Sequence, residues 1–356
     1  MNPTLDLADL DRWIGRLFMA GMPGTSLDPG TESLIRSPGV GGIILFSRNI
    51  ESPLQLFSLC RDLQQASMKY QGSPLFLAVD QEGGRVARLP PPFTQFEGNE
   101  AMGADGNPVE RVKAYAEITA REMRLVGLNM NLAPVVDVPV AEPEKHLRGR
   151  TFGRDPAKAA SLGSKVVEVL QENGVMAVAK HFPGLGRATR DPHKDLPVID
   201  ADREEMETVH LPPFQAAANA GVAAVMTSHA LYPALDPDHP ATFSRTIIEG
   251  ILRQRWGYGG LVITDDLEMG AVASGRQASE AAVAAFDAGA DILLICGDQG
   301  QVKEGHRLLR DRIIRGEPVM DRLRASLERI LDAGSRFPPG TRALSEEAVK
   351  AYFRNR

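Results

Sequence analysis

Between Lys180 and Pro197 the chain reads KHFPGLGRATRDPHKDLP, which sets two lysines, two histidines, two aspartates and two arginines around a Pro-Gly-x-Gly turn. Such a set could be a catalytic loop, a metal site or only the polar end of a buried strand. Lys180 and His181 stand where an apolar run ends. Two further stretches carry comparable chemistry. VDQEGGRVARL from Val79 puts Asp80 ahead of a Gly-Gly turn, whose missing side chains admit a ligand closely, and then supplies Arg85 and Arg88, a set suited to gripping a polyol or an anion. VITDDLEMG from Val262 ends on Asp265 and Asp266, where a carboxylate could act as a nucleophile or a metal ligand.

Residues so far apart need a scaffold that gathers them. Seven short apolar runs begin near Gly39, Pro74, Gly127, Gly174, Gly221, Gly260 and Gly289, and RLFMAGMPG around Leu17 makes an eighth. Such near-continuous aliphatic runs suit strands buried on both faces, which belong to parallel sheets covered by helices. Amphipathic stretches such as PAKAASLGSKVVEVLQENG and EAAVAAFDAG lie between them, each closing on a glycine able to end a helix. Eight strand-helix units predict an α/β fold, a (β/α)8 TIM-type barrel, with a doubly wound open sheet as the runner-up. The expected domain is residues 1–340, followed after RFPPG by a short helical tail over 341–356. The charges between His306 and Arg336 read as a solvated helix face. In a parallel barrel all strand C-termini open onto one rim, so Asp80, Asp137, Lys180, His181, His229, Asp265 and Asp266 are expected to converge there.

Composition narrows the function. Hydrophobic residues make up 43% and charged residues 24% of the 356 positions, enough for a large core. The formal net charge of −6 argues against a protein whose main task is to coat nucleic acid. Cys60 and Cys296 are far apart and have no zinc-binding spacing, and they suit a reducing compartment. No run is long enough to span a bilayer, and the acidic start lacks the pattern of a secretory signal, so the expected location is the cytoplasm, with no membrane partner.

The motifs VDQEGGRVARL, GLNMNLAPVVDV, RGRTFGRDP, KHFPGLG, the Asp-x-His of RDPHKDLP, VMTSHALYPALDPDHPATFS and VITDDLEMGAV, in this order, resemble glycoside hydrolase family 3, specifically its bacterial single-domain β-N-acetylglucosaminidases (β-hexosaminidases). The resemblance spans nearly the whole chain. It implies a TIM-type barrel that removes terminal N-acetylglucosamine with retention. It implies Asp265 as the nucleophile, Asp266 being less favoured, and His193 with Asp191 as a loop-borne acid/base pair. Asp80, Arg88, Arg150, Lys180 and His181 would bind sugar, without cofactor or metal. Gly184 and Gly186 would let the loop swing, while Asp195, Arg187 and Arg190 read as solvated loop charges. The implied substrate is a muropeptide or disaccharide carrying N-acetylglucosamine, in peptidoglycan recycling, acted on by a monomer.

Two positions depart from the family pattern: Leu185 stands where histidine is common, and Pro192 where serine is common between the loop aspartate and histidine. Proline holds Asp191 towards extended backbone and stiffens the tip. Other readings stay open at this level. The same family offers β-glucosidase, β-xylosidase and phosphorylase activities. Asp191, His193, His181, His229 and Asp265 could surround a cation in a metal-dependent hydrolase, although the His-x-His strand signature is missing. Lys180 could form a Schiff base, and a barrel that binds sugar without turning it over is the non-enzymatic alternative.

Overall fold

The eight apolar runs form eight parallel strands: β1 (Phe18–Gly21), β2 (Gly42–Leu45), β3 (Phe76–Val79), β4 (Met130–Asn131), β5 (Met176–Phe182), β6 (Ala224–Thr227), β7 (Leu261–Thr264) and β8 (Leu293–Ile295). Each pairs with the next from β1 to β7, and β8 pairs back on β1. A bridge between Ile263 and Ile292 links the remaining edges, so the sheet is a nearly closed barrel rather than an open doubly wound sheet. This computed structural model describes residues 9–140, 144–273, 275–339 and 345–354. Every residue of all eight strands is buried, because one face fills the barrel and the other packs on helices.

The helices begin where the sequence supplies a polar cap followed by proline. Asp28, Ser52 and Asp155 each accept a hydrogen bond from a first-turn amide, and Pro29, Pro53 and Pro156 occupy the first helical position, where no amide is needed. The helix Pro156–Glu172 and the helix Ala278–Ala288 fall where their apolar periodicity places them. Two antiparallel hairpins were not legible as strands: Gln81–Gly83 with Val86–Ala87, and Leu231–Tyr232 with Asp236–Pro240. The first turns at Gly83 and Gly84, both with positive φ, which is how the Gly-Gly pair is used.

The expected boundary at residues 340/341 lies outside the described residues. The helix Glu346–Phe353 packs on the barrel's outer helices, with the Phe353 ring edge-on to Phe93 at 4.8 Å. Among the described residues, no helix is long and apolar enough to cross a membrane.

One reading of the sequence is corrected here. Two arginines of the segment His306–Arg336 do not face water. They meet Asp291, a fully buried carboxylate just ahead of β8. Its Oδ1 accepts from Ser326 Oγ at 2.7 Å, Arg329 Nη1 at 3.1 Å and Arg322 Nη1 at 3.2 Å. Its Oδ2 accepts from Arg253 Nη2 at 2.7 Å and the Val262 amide at 2.9 Å. The network bolts the helix Glu317–Arg336 to the N-terminal end of the barrel, opposite the rim. Asp291→Ala is expected to lower stability by about 3–5 kcal/mol, because it leaves the Arg253 guanidinium buried without its carboxylate; a urea midpoint matching the parent's would contradict this.

Candidate active site

The chain direction of the barrel strands brings the chemistry to one place. Asp80 follows β3, Lys180 and His181 lie near the end of β5, and Asp265 follows β7. All three strand ends open onto a cavity of about 520 Å³, within the range of small-molecule sites. Asp80, Arg88, Arg150, Lys180, His181, Asp191, His193 and Asp265 all line it, so the eight residues that the resemblance assigns are brought together, while Asp137, also expected at the rim, does not line it. His229 is not among the lining residues. It is buried, with Nδ1 on Thr242 Oγ1 at 2.8 Å and Nε2 on the Asp266 carbonyl at 3.0 Å, and it props the segment after β7.

The floor is a chain of buried ions. Lys180 Nζ lies 2.7 Å from Asp80 Oδ1 and 2.7 Å from Glu82 Oε1. Glu82 also receives a bidentate pair from Arg150, Nε to Oε2 and Nη2 to Oε1, both at 2.8 Å. Burial by itself would raise the Glu82 carboxyl, but the adjacent Arg150 and Lys180 charges hold it well below the ordinary carboxylate range. Burial likewise works against the Lys180 ammonium, and Asp80 and Glu82 reverse that, so its pKa is raised. Arg88 Nη2 stands 3.8 Å from Asp80 Oδ2.

His181 is oriented from behind. Asp137, fully buried, accepts from the His181 ring Nδ1 at 2.8 Å, from the His181 amide at 3.2 Å and from the Leu185 amide at 2.7 Å. With Nδ1 committed as the donor, Nε2 is the ring's remaining nitrogen. Strand alternation would send Lys180 and His181 to opposite faces, but the β5–β6 register shifts between Ala179 and Phe182, and both side chains reach the cavity.

Asp265 is kept ionised. Burial opposes its charge, yet His181, His229 and Lys180, together with the Asp266 amide donating at 2.8 Å, draw its pKa below the usual value. Its neighbour behaves in the opposite way. Burial, joined by the Glu268 and Asp265 charges, pushes the Asp266 carboxyl up to about 6, while its Oδ1 accepts from the Glu268 and Cys296 amides.

At the mouth stands the Asp191–His193 pair. Asp191 Oδ1 accepts from the His193 ring Nδ1 at 2.7 Å and from its amide at 3.0 Å. The His193 side chain is 61% exposed. Burial opposes the Asp191 charge, but the hydrogen bonds from His193 prevail and lower its pKa. A second acid-x-His pair, Glu144 and His146, repeats this geometry, with ring Nδ1 and amide on Glu144 Oε2 at 2.6 and 2.7 Å. Burial lowers the His146 pKa, and its Nε2 is buried without a hydrogen-bond partner.

Two expectations need correction, while Arg187 is exposed as expected and pairs at the surface with Glu205, Nη2 to Oε2 at 2.7 Å. Arg85 borders the cavity, but its guanidinium donates to the carbonyls of Lys145, His146 and Arg148, so it anchors a loop instead of gripping a ligand. Gly184 and Gly186 do not loosen the loop. A Cβ on Gly186 would lie 1.7 Å from the Val138 carbonyl oxygen and one on Gly184 2.9 Å from His210 Cβ, so both positions serve close packing. Leu185 between them is buried in the core. Sequence reasoning missed Glu82, although its place two residues after Asp80 in an extended segment puts both on one side. It gave no role to His146, and it placed Asp137 at the rim without its task of orienting His181.

The arrangement offers a charged carboxylate at the cavity floor, fixed cations and carboxylates able to hold hydroxyls, and an imidazole at the mouth. Among the described residues no group of three or more His, Cys, Asp or Glu is disposed to hold a metal ion. The profile of the glycosyl hydrolase family 3 N-terminal domain matches residues 9–333. A beta-hexosaminidase of Thiobacillus denitrificans is 36% identical over 284 residues, which cover 78% of this chain and 77% of that protein. A family 3 beta-N-acetylglucosaminidase structure from Paenibacillus sp. superposes with a TM-score of 0.91 at 36% identity. The match covers 96% of this chain but 65% of that one, so the chain spans just under two thirds of it. NagZ from Neisseria gonorrhoeae, solved in complex with N-trifluoroacetyl-D-glucosamine, is 27% identical with a TM-score of 0.75, covering 95% of this chain and 97% of that one.

The two neighbouring aspartates give a sharp pH prediction. Because Asp266 is raised from 3.8 to about 6 in the folded chain, its contribution to stability is complete below about pH 4 and is lost as pH rises through about 6. Asp266→Asn keeps the acceptor oxygen and removes the ionisation. The variant should match the parent at pH 4 and exceed it by up to about 3 kcal/mol at pH 8, as read from denaturant midpoints; a parent-like pH profile for the variant would count against the assignment.

Proposed function

Because the chain belongs to the glycosyl hydrolase family 3 N-terminal domain family, we propose that it is a retaining exo-β-N-acetylglucosaminidase that cuts terminal N-acetylglucosamine from peptidoglycan-derived muropeptides. One observation carries this reading. Of the four carboxylates lining the cavity, Asp80, Asp191, Asp265 and Asp266, Asp80 is held by Lys180, Asp191 by His193 and Asp266 by two backbone amides. Asp265 is charged and stands at a strand end with one backbone amide on Oδ1 and, among the described residues, no ion pair, so it is the one of the four placed to attack.

In the proposed reaction the Asp265 carboxylate attacks the anomeric carbon as the bond to the leaving oxygen breaks, and the protonated His193 imidazole gives that oxygen its proton. The product is a glycosyl ester on Asp265. Water then attacks the anomeric carbon, neutral His193 takes its proton, and the released sugar keeps its configuration while Asp265 regains its charge. Asp191 orients the ring and stabilises the imidazolium, as a carboxylate does in other acid/base pairs. Asp80, Arg88, Arg150, Lys180 and His181 are proposed to hold the sugar, the first four through the ion chain and His181 through the nitrogen that Asp137 leaves free.

Similarity to the Paenibacillus β-N-acetylglucosaminidase and to a relative solved with an N-acylglucosamine analogue supports the choice of N-acetylglucosamine over glucose or xylose. The proposed setting is cytoplasmic recycling by a monomer, in keeping with two buried free cysteines. Nitrophenyl N-acetylglucosaminide should be turned over far faster than nitrophenyl glucoside, and in phosphate buffer the product should be free N-acetylglucosamine. A sugar phosphate would make the chain a phosphorylase. Asp265→Ala should lower kcat by at least about a thousandfold while still binding N-acetylglucosamine, and undiminished hydrolysis by this variant would remove the nucleophile from the scheme.

A further inference from the structure

The Asp191–His193 tip is docked on the segment that carries Asp265. The Gly270 amide donates to the His193 carbonyl at 3.1 Å, and the Ala271 amide donates to the Pro192 carbonyl at 3.1 Å. A Cβ on Gly270 would lie 2.4 Å from the Lys194 carbonyl oxygen and 2.7 Å from that of His193. Both contacts are with backbone, which cannot rotate away, so the tip sits this close only because residue 270 lacks a side chain. Packing does not hold the ring of His193, which is largely exposed. Its fixed points are Asp191 and this pair of backbone bonds.

The platform beneath the tip is itself secured. The Asp265 amide donates to the Thr227 carbonyl at 3.3 Å, and the Leu267 amide to that of Leu294 at 3.0 Å. Glu268 accepts from the amides of Asp298, at 2.8 Å, and Gly297. The tip is also internally braced, since the Lys194 and Asp195 amides both donate to the Asp191 carbonyl, at 2.9 and 3.1 Å. Pro192 has no amide to offer, so its carbonyl is its one backbone attachment.

We propose that Gly270 and Ala271 are positioning residues for the acid/base pair: their backbone amides hold the loop tip by its carbonyls and so fix the His193 imidazole relative to Asp265. The proposal rests on the reading of His193 as the acid/base. One short segment then places both reacting groups, with Asp265 at its start and the two donor amides at positions 270 and 271. Displacing the tip withdraws the proton donor and leaves the nucleophile where it is.

The test is leaving-group dependence. General acid catalysis is worth about 10²–10⁴-fold and matters only when the leaving oxygen needs a proton. Gly270→Ala should therefore lower kcat/KM about 10- to 100-fold for a phenyl N-acetylglucosaminide and leave it near the parent value for the dinitrophenyl analogue. Inhibition by N-acetylglucosamine should be unchanged. Ala271→Pro removes one donor and sets the ring Cδ against the Pro192 carbonyl that docks there, and it should shift the dependence in the same direction if Gly270→Ala does not fold. Azide should speed turnover of the dinitrophenyl substrate by these variants, as expected when the base for the second step is displaced. His193→Ala serves as the reference. If it steepens the leaving-group dependence while folded Gly270→Ala and Ala271→Pro do not, the docking proposal is overturned and the acid/base reading stands. If His193→Ala does not steepen it, the reading fails and takes the proposal with it.

Discussion

Lys180 sits out of water between Asp80 and Glu82, and the rest of the cavity floor depends on that placement. A buried ammonium is tolerable only with its charge matched and its protons bonded, since desolvation costs several kcal/mol per ion and mutual attraction repays it only in good geometry. The match here requires β3, β5 and the residues around Arg150 to be correct together, because Glu82 is shared between Lys180 and Arg150. Removing Glu82 would leave the buried Arg150 without its carboxylate and Lys180 with Asp80 alone. Three cations, Lys180, Arg88 and Arg150, face two carboxylates, Asp80 and Glu82, so the cluster carries an excess of positive charge. The His181 and His229 rings, the Asp266 amide and Lys180 keep Asp265 ionised in a place where burial would otherwise protonate it.

The site thus divides by how its parts are held. The floor is fixed by charge pairing and by the barrel backbone. The loop that carries Arg150 is fixed by guanidinium groups bonded to its carbonyls, from Arg85 and from Arg150 itself. The His193 tip is fixed by amides, braced at its base by two glycines packed tight. The two acid-x-His pairs show what surroundings do to the same local geometry. Glu144 and His146 lie in a buried setting that disfavours the charged ring, whereas Asp191 and His193 stand at the mouth, where the ring meets water.

Much of this was legible in the sequence. All eight strands were visible, because a strand buried on both faces must be written as an unbroken apolar run. The rim residues were visible, because polar groups at the ends of such runs have nowhere else to point. The open-sheet alternative was not separable by alternation alone, since closure depends on β8 pairing with β1, far apart in sequence. Glu82, Asp291 and the pairing of Asp137 were hidden for one reason: a buried carboxylate is identified by its partners, and those come from 44 residues away for Asp137 and His181 and 68 for Glu82 and Arg150. The loop glycines misled, because glycine permits both flexibility and contact, and only the neighbouring atoms distinguish the two. The charged stretch after His306 misled similarly, its arginines being counted as solvated before their acceptor was known.

Asp291 ties the architecture to the order in which the chain is made. Three of its donors, Arg322, Ser326 and Arg329, are added 31, 35 and 38 residues after it. When β8 is made these donors have yet to be added, and its carboxylate is matched by Arg253 and one amide alone. A polypeptide cut before Arg322 retains every strand of the barrel but leaves Asp291 with Arg253 and the Val262 amide as its donors.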